Sequence, residues 1–172
     1  VADEPTGSLV IGGHHQLIKI KERFVMNRFF GEFVGGRGAL GLLIVRVIFG
    51  LGIMQHGWGK IQKPFSWMGP DSPVPGFLQA LAALSEFGGG IALIFGLLTP
   101  IAMFGLMCTM LTAIFTVHIK AGDPFVARGG GRSYELAALY LGFAVMMILT
   151  GPGKLSIDAR LFGRRYDWID RR

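Results

Sequence analysis

Residues 38–60 read GALGLLIVRVIFGLGIMQHGWGK, a run with a single charge, Arg46, before its polar end at His56 and Lys60. It is long enough to cross a hydrocarbon core of about 30 Å as a helix of about 20 residues. Three more segments have the same character: 77–98 (FLQALAALSEFGGGIALIFGLL), 99–120 (TPIAMFGLMCTMLTAIFTVHIK) and 133–150 (SYELAALYLGFAVMMILT). A soluble bundle of four such helices would have almost no polar outer face. The Gly and Ala inside the runs suit close helix contacts in lipid, where small residues let backbones approach. The expected fold is therefore all-α: an integral membrane four-helix bundle.

Composition agrees. Of 172 residues only 16% are charged, while 51% are apolar, which excludes a disordered chain. The 27 glycines follow no three-residue period, so collagen is excluded as well. One cysteine, Cys108, leaves no internal disulfide and no CxxC redox or zinc motif. The net charge of +6 fits a cytoplasmic membrane face as well as nucleic acid. With four apolar runs the expected partners are the lipid bilayer and other membrane subunits, not nucleic acid.

Residues 1–37 form a polar start and then a segment rich in Phe, Lys and Arg. Lys21, Arg28 and Glu32 share one helical stripe, as in a helix lying in the headgroup plane. Leu9 to Ile11 is too short for the apolar region of a signal peptide, so none is expected. The chain thus divides into a tail with an interfacial helix (1–37), a transmembrane domain (38–163) and a basic tail (164–172). Eleven Lys and Arg, at 19, 21, 23, 28, 37, 154, 160, 164, 165, 171 and 172, flank the outer ends of the four-run block. Five, at 60, 63, 120, 128 and 132, lie on the other side, which places both termini in the cytoplasm. The Thr99-Pro100 pair makes a tight cytoplasmic reversal, since Pro fits the first turn of a helix.

That topology delivers ionisable groups from all four helices to the external half of the membrane. At about 1.5 Å per residue, His56 lies about 6 Å below the external end of its run, and His118 and Glu135 about 3 Å below theirs. Glu86 is about 13 Å deep, and Lys60 stands one turn beyond His56 on the same face. His56, Lys60, Glu86, His118 and Glu135 are the candidate catalytic cluster of an outward-facing cavity. The bland alternative is separate solvation of each group at the headgroups. Arg46, in mid-membrane, is expected to pair with Glu86, because charges inside spans are costly and find partners. His56 and His118 at matched depth also make a two-histidine haem site, or a chlorophyll site, conceivable, though less expected than a site without either. No metal site is expected.

At these residues the chain resembles the DoxX family of small four-helix membrane proteins. The resemblance rests on Arg46, on His56-Gly57-Trp58-Gly59-Lys60, and on Glu86-Phe87-Gly88-Gly89. It continues through Gly96-Leu97-Leu98-Thr99-Pro100, His118, Tyr134-Glu135 and the run Gly151 to Asp158 (GPGKLSID). It covers about residues 38–163; the first 37 residues, the Gly-rich stretch at 128–132 and the Arg-rich end lie outside it. The resemblance implies a membrane subunit of a quinone-linked redox complex, as in thiosulfate:quinone oxidoreductase, in a bacterial inner membrane or an equivalent energy-transducing one. A quinone would then sit between helices, with a His or Lys donating to its oxygens and Glu86 or Glu135 relaying protons. The alternatives are a non-catalytic accessory subunit of a respiratory or photosynthetic assembly, or a haem- or pigment-carrying bundle. No Gly-rich fingerprint joins a strand to a helix, so no nucleotide or flavin site is expected.

Overall fold

A computed structural model describes residues 33–163. The expected interfacial segment up to residue 32 and the basic tail from residue 164 lie outside the described residues. Four helices carry the chain: α1 (Gly36–Ile61), α2 (Gly76–Phe95), α3 (Thr99–His118) and α4 (Glu135–Thr150). The described residues contain no strand. Three helices are long and apolar enough to span a membrane; α4, at 16 residues, is shorter, about 24 Å. This is an all-α, multi-pass membrane bundle.

Burial runs opposite to that of a soluble helix. On α1 the buried positions are Ala39, Arg46, Gly50, Ile53 and Gly57, while Leu40, Ile44, Ile48, Leu51 and Trp58 face outward. The outward face is the apolar one, as lipid requires, and the buried face is built for close approach. A methyl group at Gly50 would stand 2.9 Å from the Gly90 carbonyl oxygen of α2, and one at Gly57 would strike the Phe87 amide. These contacts fix an antiparallel register in which Gly57 meets Glu86–Phe87 and Gly50 meets Gly90–Ile94. The apolar core lies where α1, α2, α3 and α4 converge: Ile53, Leu93, Met103, Leu106, Met110, Tyr140, Phe143, Ala144 and Met147.

The reversal at Thr99-Pro100 forms as the sequence predicts, but α2 stops earlier than the apolar run does. Gly96 adopts φ 62, and the amides of Gly96 and Leu97 donate to the carbonyls of Leu93 (3.1 Å) and Ala92 (2.8 Å). This left-handed glycine closure satisfies the last carbonyls of α2. Hydropathy cannot see it, because Leu97 and Leu98 on the far side are as apolar as the helix.

Beyond α4, residues 151–158 turn back into the bundle rather than leaving it. Gly151, Pro152, Gly153, Ser156 and Asp158 are buried. The Arg46 guanidinium donates to the carbonyls of Pro152 (2.5 Å) and Leu155 (2.8 Å), with Ile94 further off at 3.4 Å. Asp158 answers from the other side. Its two oxygens accept from the amides of Leu98 (2.8 Å) and Thr99 (2.9 Å), and its own amide donates to the Gly96 carbonyl (2.9 Å). Asp158 thereby caps the N-terminus of α3, where free amides and the helix dipole favour a carboxylate.

This arrangement corrects the expected Arg46–Glu86 pair. The helix register places Glu86 level with Gly57, eleven residues or about 16 Å along α1 from Arg46. Arg46 serves the re-entrant segment, and Glu86 takes a different partner.

Candidate functional site

Two of the three long helices change pitch where they carry an ionisable group. Within α2, Leu84–Gly88 is a π-helical turn, with the Gly89 amide reaching back to the Leu84 carbonyl. Within α3, Ala113–His118 is another, and the Ile119 amide donates to the Ile114 carbonyl at 2.9 Å. Such turns insert an extra residue into the helix, re-aim side chains, and are frequent at functional sites. The first turns Glu86 inward, where it is 3% exposed.

Lys60, at the end of α1, donates to Glu86 Oε1 at 2.5 Å. The lysine side chain is 26% exposed, so the pair sits at the boundary between core and surroundings. The Trp67 ring lies over the ammonium, 4.7 Å from its centroid, adding a cation–π contact. Trp67 is itself held in place. Its ring N–H donates to the Gln79 carbonyl (2.9 Å), while the Gln79 side chain accepts from the Met68 amide (3.0 Å) and donates to the Val74 carbonyl (2.9 Å). Gln79 is buried and staples the 62–75 connection onto the start of α2. The other carboxylate oxygen, Glu86 Oε2, is buried without a hydrogen-bond partner.

His56 stands one turn before Lys60, its ring 6.1 Å from that of Tyr140 and nearly perpendicular to it. Tyr140 also meets Phe49 edge-on at 5.5 Å, and Phe49 stacks on Phe143 at 4.2 Å. The structure thus gathers Lys60, Glu86, His56, Tyr140 and Trp67 at one end of the bundle.

His118 and Glu135 are not joined to this group by any contact among the described residues. His118 Nδ1 and Asp123 Oδ2 are 2.8 Å apart, and Arg132 Nε stands 3.3 Å from the same oxygen. The second π turn therefore anchors the 119–134 connection. Glu135 is exposed at the start of α4, without an ion pair among the described residues.

Sequence reasoning missed Tyr140, Trp67 and Asp123, and named Asp158 only as the end of a motif, without a role. Tyr140 carried a signal, because a phenol inside an apolar span has to place its hydroxyl somewhere. Asp123 follows His118 by five residues, which points to no particular contact until the π turn is known.

The DoxX family model matches residues 41–119, which contain Arg46, His56, Lys60, Glu86 and His118. A relative described as "Inner membrane protein YqjF" of Escherichia coli (strain K12) is 34% identical over 134 residues, 74% of this chain and 95% of its own length. The chain belongs to the DoxX family. A Bacillus subtilis (strain 168) member named "Putative oxidoreductase CatD" is 32% identical over 72% of this chain and 88% of its own. An uncharacterised Haemophilus influenzae protein is 31% identical over 70% and 90%. No solved structure matches the chain. The family model stops at residue 119, so Tyr140 and the Asp158 cap lie beyond it.

Proposed function

We propose that this DoxX protein is an inner-membrane subunit of a redox complex, in which the Lys60–Glu86 pair exchanges protons with a membrane quinone. The observation that carries the reading is the half-satisfied carboxylate: Glu86 is buried, ion-paired through Oε1, and has an unpartnered Oε2. A buried carboxylate oxygen without a partner is costly, and a ligand that donates to it would relieve that cost. The names of two relatives support the setting, one an inner-membrane protein and the other an oxidoreductase by description.

The residues suit a quinone as substrate. Lys60 supplies N–H donors for a ring oxygen, Glu86 relays protons to the reduced ring, and Trp67 and Tyr140 supply aromatic surface. Reduction of a quinone to a quinol takes up two electrons and two protons. The protons come from water by way of Glu86; the electrons come from a donor outside the described residues, and a reduced sulfur compound such as thiosulfate is the proposed class. Two thiosulfates joined as tetrathionate release two electrons.

The test is thiosulfate-dependent reduction of decylubiquinone by the complex purified in mild detergent with its partner subunits. Wild type is expected to turn over, and Glu86→Gln to be slower by about 10²-fold or more, the scale of losing a positioned acid–base group. A complex inactive with thiosulfate and decylubiquinone, or a Glu86→Gln complex as fast as wild type, overturns the reading.

A further inference from the structure

Glu86 Oε2 is not the one unpartnered polar atom at this end of the bundle. Tyr140 is 6% exposed, yet its hydroxyl has no hydrogen bond among the described residues. The hydroxyl also lies against the α1 backbone at Gly52, where an added methyl group would collide with it. Gly52 and Gly57 are five residues apart, about 7.5 Å along α1, and Gly57 marks the level of Glu86. Two nearly buried side chains, on different helices, thus leave polar atoms unused at neighbouring levels.

The helices around them are unevenly packed. The backbones of α1 and α2, α2 and α3, and α3 and α4 lie in close contact. Aromatic side chains bridge α1 and α4 instead: Phe49 on Tyr140 and Phe143, and His56 beside Tyr140. His56 is exposed on the α1 side of this seam. A seam closed by rings rather than by backbone contact can open by side-chain rotation, without moving a helix.

The chemistry of the two atoms narrows the occupant. A carboxylate held by Lys60 can only accept a hydrogen bond, so Glu86 Oε2 needs a donor. A quinone ring has no donor, whereas its reduced form has a hydroxyl at each edge. Tyr140 can donate to the second oxygen or accept from it. We propose that the site binds the quinol form, an aromatic diol that enters from the bilayer between α1 and α4 and is held between Glu86 Oε2 and the Tyr140 hydroxyl. This rests on the quinone reading above and extends it by naming Tyr140 as a ligand-contact residue and the reduced ring as the tighter ligand.

The experiment uses the full chain in detergent with Trp58→Phe and Trp168→Phe, so that Trp67 fluorescence alone reports binding. Decylubiquinol and decylubiquinone are the probes, titrated under anaerobic conditions, and a Trp67→Phe control removes quenching unrelated to the site. Wild type is expected to bind decylubiquinol at least tenfold more tightly than decylubiquinone. Tyr140→Phe should weaken the quinol about tenfold, the scale of one lost hydrogen bond. Gly52→Ala should do the same, because it moves the hydroxyl while keeping the ring, and it stands in should Tyr140→Phe fold poorly. Glu86→Gln should abolish the preference for the quinol, and His118→Asn should change nothing. Quinol binding that Tyr140→Phe and Gly52→Ala leave intact, or tighter binding of the oxidised ring, overturns this inference and leaves the quinone reading standing. A wild type that binds neither probe overturns both.

Discussion

The two ends of the bundle both bury charge, and they partner it differently. At the Arg46 end, the guanidinium donates to the carbonyls of Pro152 and Leu155 and both oxygens of Asp158 accept backbone amides, with Arg46 Nε and the Thr99 hydroxyl left over. At the Lys60 end, Glu86 spends one oxygen on Lys60 and leaves the other idle, with an idle Tyr140 hydroxyl nearby. A charge whose hydrogen bonds go mostly to backbone holds the fold. On the proposed reading, the carboxylate left half-used at the other end keeps capacity for a ligand. Composition alone cannot separate the two cases, since each is one cation and one buried carboxylate in an apolar chain.

The comparison can be broken from the structural end first, where the largest effect is expected. Arg46→Met should strip the re-entrant 151–158 segment of its anchor and leave the Pro152 and Leu155 carbonyls without their donor. A loss of about 3–5 kcal/mol is expected, the scale of removing one member of a buried charged network. Asp158→Ala removes a helix cap and should cost less, about 1–2 kcal/mol. Both are measured by reversible unfolding in mixed micelles. If Arg46→Met costs under 1 kcal/mol, the structural assignment of that end fails.

Much of this fold was legible in the chain, because lipid imposes one demand above all, that long runs be apolar and helical. The runs at 38–60, 77–98 and 99–120 correspond to α1, α2 and α3 within a few residues, and the Thr99-Pro100 turn falls where the proline indicates. The site was harder to read. Depth counted from the ends of apolar runs put Arg46 and Glu86 within reach of each other. The actual register is set by Gly50, Gly57 and Gly90 meeting across α1 and α2, and hydropathy does not encode which glycines meet. The π turns mattered equally. One extra residue at Leu84–Gly88 rotates Glu86 toward Lys60, and one at Ala113–His118 hands His118 to Asp123. Neither turn leaves a compositional trace. The pairing of Lys60 with Glu86 needed the register and the turn together.

The central claim is that the Lys60–Glu86 pair is retained for a ligand and the Arg46–Asp158 end for the fold. Thermal unfolding of wild type and of the double variant Lys60→Met/Glu86→Gln, each with and without decylubiquinol, tests it most directly. Replacing both members of a buried ion pair by neutral groups is commonly close to neutral for stability. The double variant should therefore unfold within about 1 kcal/mol of wild type, while the stabilisation that the ligand gives wild type by mass action disappears. A double variant as unstable as Arg46→Met, or one that decylubiquinol still stabilises as it does wild type, contradicts the account.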